Sequence, residues 1–579
     1  MARDVLLIIF VALLYSACCT VVKENDGSNR NIRHEHCRGR KRFVKPTKEV
    51  RTIRIFGDKD WPRYRGMRPG EWIRLGKNIF RYQGEKEIVW EEKGGLIKIN
   101  GKVKGINFSR LSIKEGLTMI RKHAKCIESV SWSNAQEIPL SILIALKKHS
   151  TGGIAIQLND FRGSPEQIGR LKVLGEKLES VSYVTFIKKA PGLTGLSKLD
   201  KHVEILLSVD KANDGFFKKI EGIKNLVKLR IRLLLPSGLF PNCLKKYVTL
   251  RVLGIWHIGP GNRDLDFFKN YNRLWSMRLY GYGGRYVKRE ALGKLKNLRI
   301  LSLEKLPGGD VSLSFLQGLN KLQALGLLCD CSNEINAQGM MQLAKLPKLE
   351  GLSISFCKVN RQAAKMLPRI KRLKYLSFSN MEKGKGRARA LLTYLSRMKK
   401  LEGIGLYRVG LQKMGIDMLL PMKDTLKKLS LMDNGLKDHQ LKKLRSFKGL
   451  EYLMLSENNI GGPSIRYLEG MKKLKMLYLR KTNVGYEGLN YLTRLQKLVY
   501  LRLDKTRISD KGYRHLAKMR NLRYLGLQGT QVGDRTLDYL VNMEQLRMVD
   551  ISNTNVTKEA ILEFKNKRPD CEIVHELDM

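Results

Sequence analysis

The C-terminal part of the chain repeats one pattern of apolar and polar positions four times. Leu474, Leu498, Leu522 and Leu546 each start the pattern L-x-x-[LV]-x-[LI]-x-x-T-x-[VI], and successive copies are 24 residues apart. Counting from that leucine as position one, the apolar residues at positions one, four and six alternate like a short β-strand. The threonine at position nine is predicted to turn the chain, with its hydroxyl bonded to backbone groups that the turn leaves unpaired.

A helical segment is predicted after each turn. Leu537, Leu540 and Met543 are three apart, which places them on one face of a helix. Thr557, and either Ser509 or Asp510, are candidate caps for such helices. Because one copy cannot bury its own apolar face, stacked copies must share one core. The pattern therefore predicts an α/β leucine-rich repeat solenoid, or horseshoe, with a concave parallel β-sheet, convex helices and a small β-rich N-terminal cap.

The repeat continues towards the N-terminus with decreasing regularity, and residues 103–574 are predicted to hold about 19 copies. Residues 575–579 form a tail. The upstream copies are predicted to start at Leu450, Leu426, Leu401, Leu373, Leu349, Leu322, Leu298, Leu274, Leu250 and Leu226, and the weakest ones near His202, Leu178, Ile154, Ile127 and Val103.

Residues 1–22 are predicted to be an export signal, because Arg3 precedes an uncharged apolar run that ends among small residues. Three forms remain open: a removable signal peptide, a lipoprotein signal with Cys18 as the lipidated residue, and an uncleaved membrane anchor. The usual leucine three residues before the lipidated cysteine is replaced by Tyr15. All three forms predict an extracytoplasmic protein that is secreted or anchored at the cell surface.

Residues 23–50 are polar and basic without periodicity, which is typical of a flexible linker. Residues 51–102 alternate over short segments separated by glycine and proline, which predicts β-hairpins. We interpret 51–102 as the N-terminal cap of the solenoid, since terminal units of repeat proteins are atypical. The alternative is a small binding module that uses its arginines and tryptophans.

Two short motifs carry a family resemblance. The first is the motif T-x-[VI]-[ST]-D-x-G at Thr506–Gly512, and the second is the C-terminal motif P-x-C-x-[IV] at Pro569–Ile573. Both resemble motifs of bacterial extracytoplasmic leucine-rich repeat proteins. The helical outer phase also resembles the ribonuclease-inhibitor-like and cysteine-containing repeats of F-box proteins. This resemblance covers residues 103–574 and implies the fold strongly, but it implies little about function because such repeats bind unrelated ligands.

The net charge of the chain indicates which classes of binding partner to expect. The chain carries 109 Lys and Arg against 54 Asp and Glu, a net charge of +55, so it attracts polyanions. We predict a non-enzymatic binder of a protein or an anionic polymer, without cofactor or metal, because no catalytic or phosphate-binding motif is present. One alternative is an intracellular substrate-recognition subunit of a ubiquitin ligase. Another is nucleic-acid binding, which the diffuse distribution of lysine disfavours.

Binding residues are expected at positions three, five and seven, which point away from the core. Between an N-terminal and a C-terminal patch, position five stays small, which predicts a smooth trough from Ser302 to Ser430. The competing interpretation is an ordinary solvated strand surface. Tyr, Trp and Arg are the residue types that dominate binding energy. The candidates are Lys228, Arg230, Arg232, Trp256, Arg278 and Tyr280 in the first patch, and Tyr452, Tyr478, Arg480, Tyr500, Arg502 and Tyr524 in the second.

Three cysteines occupy turns of adjacent predicted repeats: Cys329, Cys331 and Cys357. A disulfide from Cys357 to either of the other two would fit an oxidising compartment. We favour the simpler interpretation, in which Cys357 is a small buried thiol at position nine, because proximity alone does not establish bond geometry.

Overall fold

A computed structural model defines the fold. It describes residues 50–56, 72–75, 78–81, 87–93, 96–99, 102–108, 111–133, 135–185, 191–200, 202–209, 220, 222–223, 226–237, 247–258, 266–279, 290–306, 313–329, 334–380 and 387–575. The predicted export signal and most of the predicted linker lie outside these residues. Within them, no helix has both the length and the apolar composition needed to cross a membrane.

Strands dominate the described part of the chain, and most of them belong to one 23-stranded sheet. The strands are β1 (Val50–Phe56), β2 (Trp72–Leu75), β3 (Asn78–Arg81), β4 (Glu87–Lys93), β5 (Leu96–Ile99), β6 (Lys102–Asn107), β7 (Ser129–Ser133), β8 (Ile154–Asn159), β9 (Leu178–Thr185), β10 (His202–Val209), β11 (Leu226–Ser237), β12 (Val252–Ile258), β13 (Ser276–Leu279), β14 (Ile300–Leu306), β15 (Ala324–Cys329), β16 (Glu334–Ile335), β17 (Gly351–Ser355), β18 (Lys358–Val359), β19 (Tyr375–Ser379), β20 (Gly403–Tyr407), β21 (Lys428–Ser430), β22 (Tyr452–Met454), β23 (Met476–Tyr478), β24 (Tyr500–Arg502), β25 (Tyr524–Gly526), β26 (Met548–Asp550) and β27 (Glu572–Val574).

The sheet changes character near its N-terminal end. β1 pairs with β4, β4 with β5 and β5 with β6, all antiparallel, whereas from β6 to β27 each neighbouring pair is parallel. The separate β2–β3 hairpin lies against β6, β7 and β8. A strand begins within two residues of every starting position that the sequence predicts for the repeats. The parallel sheet of a leucine-rich repeat solenoid is confirmed.

Helices connect the strands on the other side of the core. Short 3₁₀ segments replace them in many repeats, for example at Glu290–Lys294, Asp417–Met422 and Asp438–Ser446. Parallel strands approach more closely than helices can, which makes the strand side concave. The α-helices are α1 (Ile113–His123), α2 (Leu140–His149), α3 (Pro165–Gly169), α4 (Ala337–Lys345), α5 (Arg361–Met366), α6 (Arg387–Leu395), α7 (Gly462–Ile465), α8 (Tyr486–Leu492), α9 (Tyr513–Leu516), α10 (Asp534–Leu540) and α11 (Lys558–Lys567).

One continuous apolar core lies between the strands and the helices. Leu474, Leu477 and Leu479 are fully buried in it, and the same three positions are buried in the following repeats. A second apolar cluster lies on the concave side and includes Tyr407 and Tyr452. The sheet is therefore covered by apolar packing on both faces along this part of the solenoid.

The turn after each strand follows one backbone plan. The residue at position eight takes a left-handed conformation in successive repeats, with φ between 48° and 61° from Phe356 to Asn553 at non-glycine residues and 65° at Gly529. At position nine, the hydroxyls of Thr482, Thr506 and Thr530 each donate to the backbone carbonyl three residues earlier, at 2.6 Å. The predicted role of the threonine hydroxyl is confirmed. Thr557 also caps α11, since its side chain accepts from Ala560 N.

Asparagine fills position nine in the two repeats before the threonines. Oδ1 of Asn458 accepts from the backbone N–H groups of Asn434 and Leu436, at 3.1 and 3.0 Å. Its Nδ2 donates to Leu455 O and Leu431 O at 2.8 and 2.9 Å. A single buried amide thus satisfies backbone groups of two repeats, which holds their turns in register.

The cysteine at position nine departs from our favoured interpretation. Cys357 forms a disulfide with Cys329, which lies 28 residues earlier at the end of β15. The prediction of an unpaired buried thiol is therefore wrong, because the lateral stacking of β15 and β17 brings the Cα atoms of Cys329 and Cys357 to 4.9 Å. Cys331, the other predicted partner, lies outside the described residues.

Candidate binding surface on the concave face

Parallel register aligns equal positions of successive repeats into rows across the concave face. At position three, Tyr452 is followed by Met476, Tyr500 and Tyr524. At position five, Met454 is followed by Tyr478, Arg502, Gly526 and Asp550. Residues that are 24 apart in sequence therefore become direct neighbours on this surface.

Four tyrosines of these rows form a tyrosine ladder: Tyr452, Tyr478, Tyr500 and Tyr524. The ring centroids of Tyr452 and Tyr478 are 5.4 Å apart, and those of Tyr478 and Tyr500 are 5.1 Å apart. Tyr500 and Tyr524 stack at 4.1 Å, with ring planes only 4° from parallel. Such aromatic pairs add about 0.5–1.5 kcal/mol each beyond burial of their area.

The ladder corrects the prediction that all four tyrosines are exposed contact residues. Tyr452 and Tyr478 are only 5% and 6% exposed, because they pack against each other and belong to the same apolar cluster as Met454. Tyr500 and Tyr524 are half-buried and keep surface available at the C-terminal end of the ladder. Of the four tyrosines in the predicted second patch, only Tyr500 and Tyr524 thus remain open.

An ion pair lies beside this open end. Arg502 Nε donates to Asp504 Oδ2 at 2.6 Å, and the side chain of Asp504 is fully buried. Burial opposes the charge of Arg502, but Tyr524, Asp504 and Tyr500 together outweigh it and raise the pKa of the guanidinium. Arg502 therefore stays charged under all ordinary conditions. Burial also raises the pKa of Tyr524, so its phenol stays protonated and can donate a hydrogen bond.

Arg480 supplies a donor to the same region. Its backbone N–H donates to Ser456 Oγ at 3.2 Å, which fixes the backbone at the end of β23. The side chain is half-buried, and its Nε has no acceptor among the described residues. A buried N–H without a partner is costly, so this group favours a bound acceptor.

The predicted N-terminal patch is brought together only in part. Arg230, Gly254, Arg278 and Ser302 lie in one row, so the two arginines are separated by a single glycine strand. Arg230 is exposed and Arg278 is half-buried. Together they can present two guanidiniums to an anionic group.

The remaining residues of that patch have different outcomes. Lys228, a candidate binding residue, pairs through Nζ with Glu204 Oε2 at 2.8 Å, so its charge is compensated within the protein. The pair forms because Glu204 lies directly beside Lys228 on the preceding strand. Arg232 and Trp256 are adjacent in register, but their side chains are outside the described set, as is all of Tyr280.

The predicted trough exists as a row but is not smooth. Ser353, Ser377 and Ser430 are aligned with intervening glycines, and they are almost completely buried. Their strand neighbours fill the space: the ring of Tyr375 leans over Gly403, which has no side chain, and Lys428 Nζ lies 5.7 Å from the centre of that ring.

Sequence reasoning missed Tyr375, Tyr407 and Lys428 because it followed only position five through these repeats. Tyr375 and Lys428 occupy position three, and Tyr407 occupies position seven. All three are under 10% exposed. A comparison of positions three, five and seven in every repeat would have identified these residues, but it would not have predicted that they are buried.

The family model for leucine-rich repeats matches residues 424–484, which include the turns at Asn434 and Asn458. The chain therefore contains a recognised leucine-rich repeat segment within a leucine-rich repeat solenoid fold. The leucine-rich repeat fold is typically a binding scaffold, which agrees with the extended strand surface seen here. No curated protein is significantly similar to the sequence.

Solved leucine-rich repeat structures resemble this chain at low identity. One is a leucine-rich repeat protein of Leptospira interrogans, with 15% identity, a TM-score of 0.36, and coverage of 81% of this chain and 99% of the other. An internalin of Listeria monocytogenes has 15% identity, a TM-score of 0.28, and coverage of 62% and 82%. The leucine-rich repeat ectodomain of the receptor kinase GASSHO1/SCHENGEN3 from Arabidopsis thaliana, in complex with CASPARIAN STRIP INTEGRITY FACTOR 2, has 14% identity, a TM-score of 0.33, and coverage of 82% and 64%. Similarities at this level do not indicate a ligand.

Proposed function

We propose that the protein is an exported, non-enzymatic binding protein that holds a protein partner against the concave face of its last repeats. The observation that carries this proposal is the open end of the tyrosine ladder, where Tyr500, Tyr524 and Arg502 meet. Tyrosine and arginine dominate the energetics of protein interfaces. An anionic polymer is the alternative partner, and the row of Arg230 and Arg278 supports it.

Rigidity supports a role in recognition. The four rings brace one another along the solenoid, and Asp504 holds Arg502 in place. Side chains that are already ordered lose little entropy when a partner binds. Arg480 Nε adds a donor that has no acceptor among the described residues. A partner that offers a carbonyl or carboxylate next to an apolar side chain fits this arrangement.

Export is part of the proposal. The apolar run of residues 1–22 supports it, and so does the disulfide between Cys329 and Cys357, since structural disulfides persist in oxidising compartments. Mass spectrometry of the mature N-terminus, with fractionation of the native cells, tests it. A chain that begins at or just after Cys18 outside the cytoplasm agrees with export, whereas an intact Met1 in the soluble cytosol contradicts it.

The binding surface is tested by photo-crosslinking in native cells. A benzoylphenylalanine in place of Tyr524 should crosslink a protein partner, and the same probe in place of Tyr486, an exposed tyrosine on the helix side, should not. Binding of the captured partner is then measured with Arg480→Gln and Tyr524→Ala. Each should weaken binding about tenfold or more, whereas Arg520→Gln, an exposed control, should not. Equal crosslinking at both positions contradicts a concave site.

A further inference from the structure

A second periodic arrangement lies on the convex side. Position eighteen of consecutive repeats is held by Tyr467, Tyr491, His515 and Tyr539, which follow one another at 24-residue intervals. All four lie in the helical segments, and those segments contact one another in sequence order. Tyr467 is 9% exposed and Tyr539 is 38% exposed, so the column opens towards the C-terminus.

Arginines converge on the first member of this column. The guanidinium carbon of Arg445 lies 4.6 Å from the ring centroid of Tyr467, and that of Arg466 lies 5.0 Å from it. Arg466 also donates from Nη2 to the hydroxyl of Tyr467 at 3.1 Å. The phenol therefore positions two guanidiniums that the preceding repeat and its own repeat supply. We call Lys442, Arg445, Arg466 and Tyr467 the convex basic cluster.

The cations of this cluster differ from those at the strand entrances. At position two, basic residues are neutralised by the preceding repeat, as in Lys374–Glu350, Lys427–Glu402 and Lys475–Glu451, at 2.9, 3.1 and 3.1 Å. Among the described residues, no carboxylate lies within ion-pair distance of Lys442, Arg445 or Arg466. Their side chains are exposed, so their charges are available to an external anion.

Basic side chains contribute to lowered pKa values at two groups of the column, Tyr467 and His515. The hydrogen bond from Arg466 is the main cause that lowers the pKa of Tyr467, with smaller contributions from the charges of Arg466, Arg445 and Lys442. The pKa of His515 is lowered first by burial and then by Lys518 and Arg514.

We propose that the convex basic cluster and the column that follows it bind an acidic polysaccharide, through its sulfate or phosphate groups. Guanidiniums held side by side match tetrahedral oxyanions through paired N–H donors. A linear chain with regularly spaced anionic groups can follow a column that repeats from one helix to the next. This site is on the opposite side of the sheet from the tyrosine ladder, so both faces can be occupied at once.

Nucleic acid is the less favoured polyanion. Proteins that bind single strands offer open aromatic faces for base stacking, whereas the ring of Tyr467 is buried and covered by Arg445. The disulfide between Cys329 and Cys357 also fits an oxidising compartment outside the cytosol. The polysaccharide proposal stands apart from the concave site and does not depend on it.

The test uses the full-length protein and three probes: a heparin octasaccharide, its desulfated form and a single-stranded DNA of equal length. The variant Lys442→Gln/Arg445→Gln/Arg466→Gln is compared with Arg361→Gln/Lys365→Gln/Lys371→Gln, which removes three exposed charges from other repeats. Calorimetry or fluorescence polarisation at several salt concentrations gives affinity and its salt dependence.

We expect the cluster variant to bind the sulfated probe at least tenfold more weakly, with a shallower salt dependence. The control variant should change affinity by less than threefold, and the desulfated probe should bind weakly to every form. Equal loss in both variants would show that only net charge attracts the polymer, and it would overturn the site. Tighter binding of DNA than of the sulfated probe would replace the polysaccharide by nucleic acid.

A conservative variant separates positioning from folding. Tyr467→Phe removes the hydroxyl that accepts from Arg466 but keeps the ring under Arg445. This variant should keep the thermal stability of the parent. Its affinity for the sulfated probe should fall by about twofold to fivefold. Unchanged affinity would contradict the role of the phenol, since Arg466 would then not need it.

Discussion

Tyr500 and Tyr524 are 24 residues apart in sequence, yet their rings stack with centroids 4.1 Å apart and planes 4° from parallel. The contact arises because parallel register makes them direct neighbours on β24 and β25. Tyr500 also contacts Tyr478 on its other side. Tyr500 therefore has a tyrosine ring on each side and links the buried part of the tyrosine ladder to its exposed end.

Replacing Tyr500 by alanine should destabilise the C-terminal repeats. The change removes contacts to rings on both sides, and we expect a loss of about 2 kcal/mol in the free energy of unfolding. Tyr500→Phe should lose less than about 0.5 kcal/mol, because stacking needs only the ring. Urea unfolding and hydrogen exchange in β23 and β25 measure both. A matched control is Tyr486→Ala on the exposed helix side; a loss as large as that of Tyr500→Ala would contradict a special role for the ladder.

The left-handed backbone at position eight gives a second prediction. Gly529 has φ of 65°, where an added Cβ is strained, so Gly529→Ala should destabilise by about 1 kcal/mol. Lys505 takes φ of 52° at the same position of the preceding repeat. Lys505→Gly should be neutral or raise stability by less than about 1 kcal/mol, since it relieves the same strain. Thermal unfolding distinguishes these signs, and destabilisation by both changes would show that side-chain contacts outweigh the backbone.

Asn458 should be among the least replaceable polar residues. Asn458→Leu would leave the backbone N–H groups of Asn434 and Leu436 without their acceptor. We expect a loss of about 2–4 kcal/mol, because two buried donors remain unpaired. Hydrogen exchange of these two amides gives the readout. The exposed Asn459→Leu serves as the control, and its exchange rates at 434 and 436 should match those of the parent protein.

The end of the solenoid should depend on pH through Asp570. Arg568 donates to the carbonyl oxygens of Met543 and Leu546 at 2.8 and 2.9 Å, and it also bonds both carboxylate oxygens of Asp570. The hydrogen bonds from Arg568 are the main cause that lowers the pKa of Asp570 below its model-peptide value of 3.8.

The sign follows from this direction. A carboxylate with a lowered pKa contributes stability that is fully present above its unfolded value and is lost as the pH falls through the folded value. As the pH falls from 5 to 2, the free energy of unfolding of the parent should therefore decrease more steeply than that of Asp570→Asn. Parallel curves would show that the pair does not contribute, as many exposed ion pairs do not.

Removing the disulfide should lower stability without changing the fold. Cys329→Ser/Cys357→Ser opens a link between residues 28 apart, and we expect a loss of about 2–4 kcal/mol. The same loss should appear in the parent protein under reducing conditions. Cys126→Ser, at an exposed and unpaired thiol, should leave the unfolding midpoint unchanged. A parent protein that is insensitive to reductant would contradict a structural disulfide.

Much of the architecture was predictable because its causes are local. The alternation of Leu474, Leu477 and Leu479 predicts a strand. Each threonine hydroxyl at position nine donates to a carbonyl only three residues away. The helix cap at Thr557 also depends on neighbours in sequence. Which side of each strand faces the core follows from the same alternation.

By itself the sequence determined the repeat, the parallel sheet and the rows of outward residues, since these depend on a period and on local hydrogen bonds. Only the tertiary structure decided that Tyr452 and Tyr478 cover each other, that Glu204 neutralises Lys228, and that Cys357 pairs with Cys329. It also decided that Arg445 reaches Tyr467 on the convex side. These outcomes depend on rotamers and on contacts between neighbouring repeats, and a pattern along the chain records which residues become neighbours but not how their side chains meet.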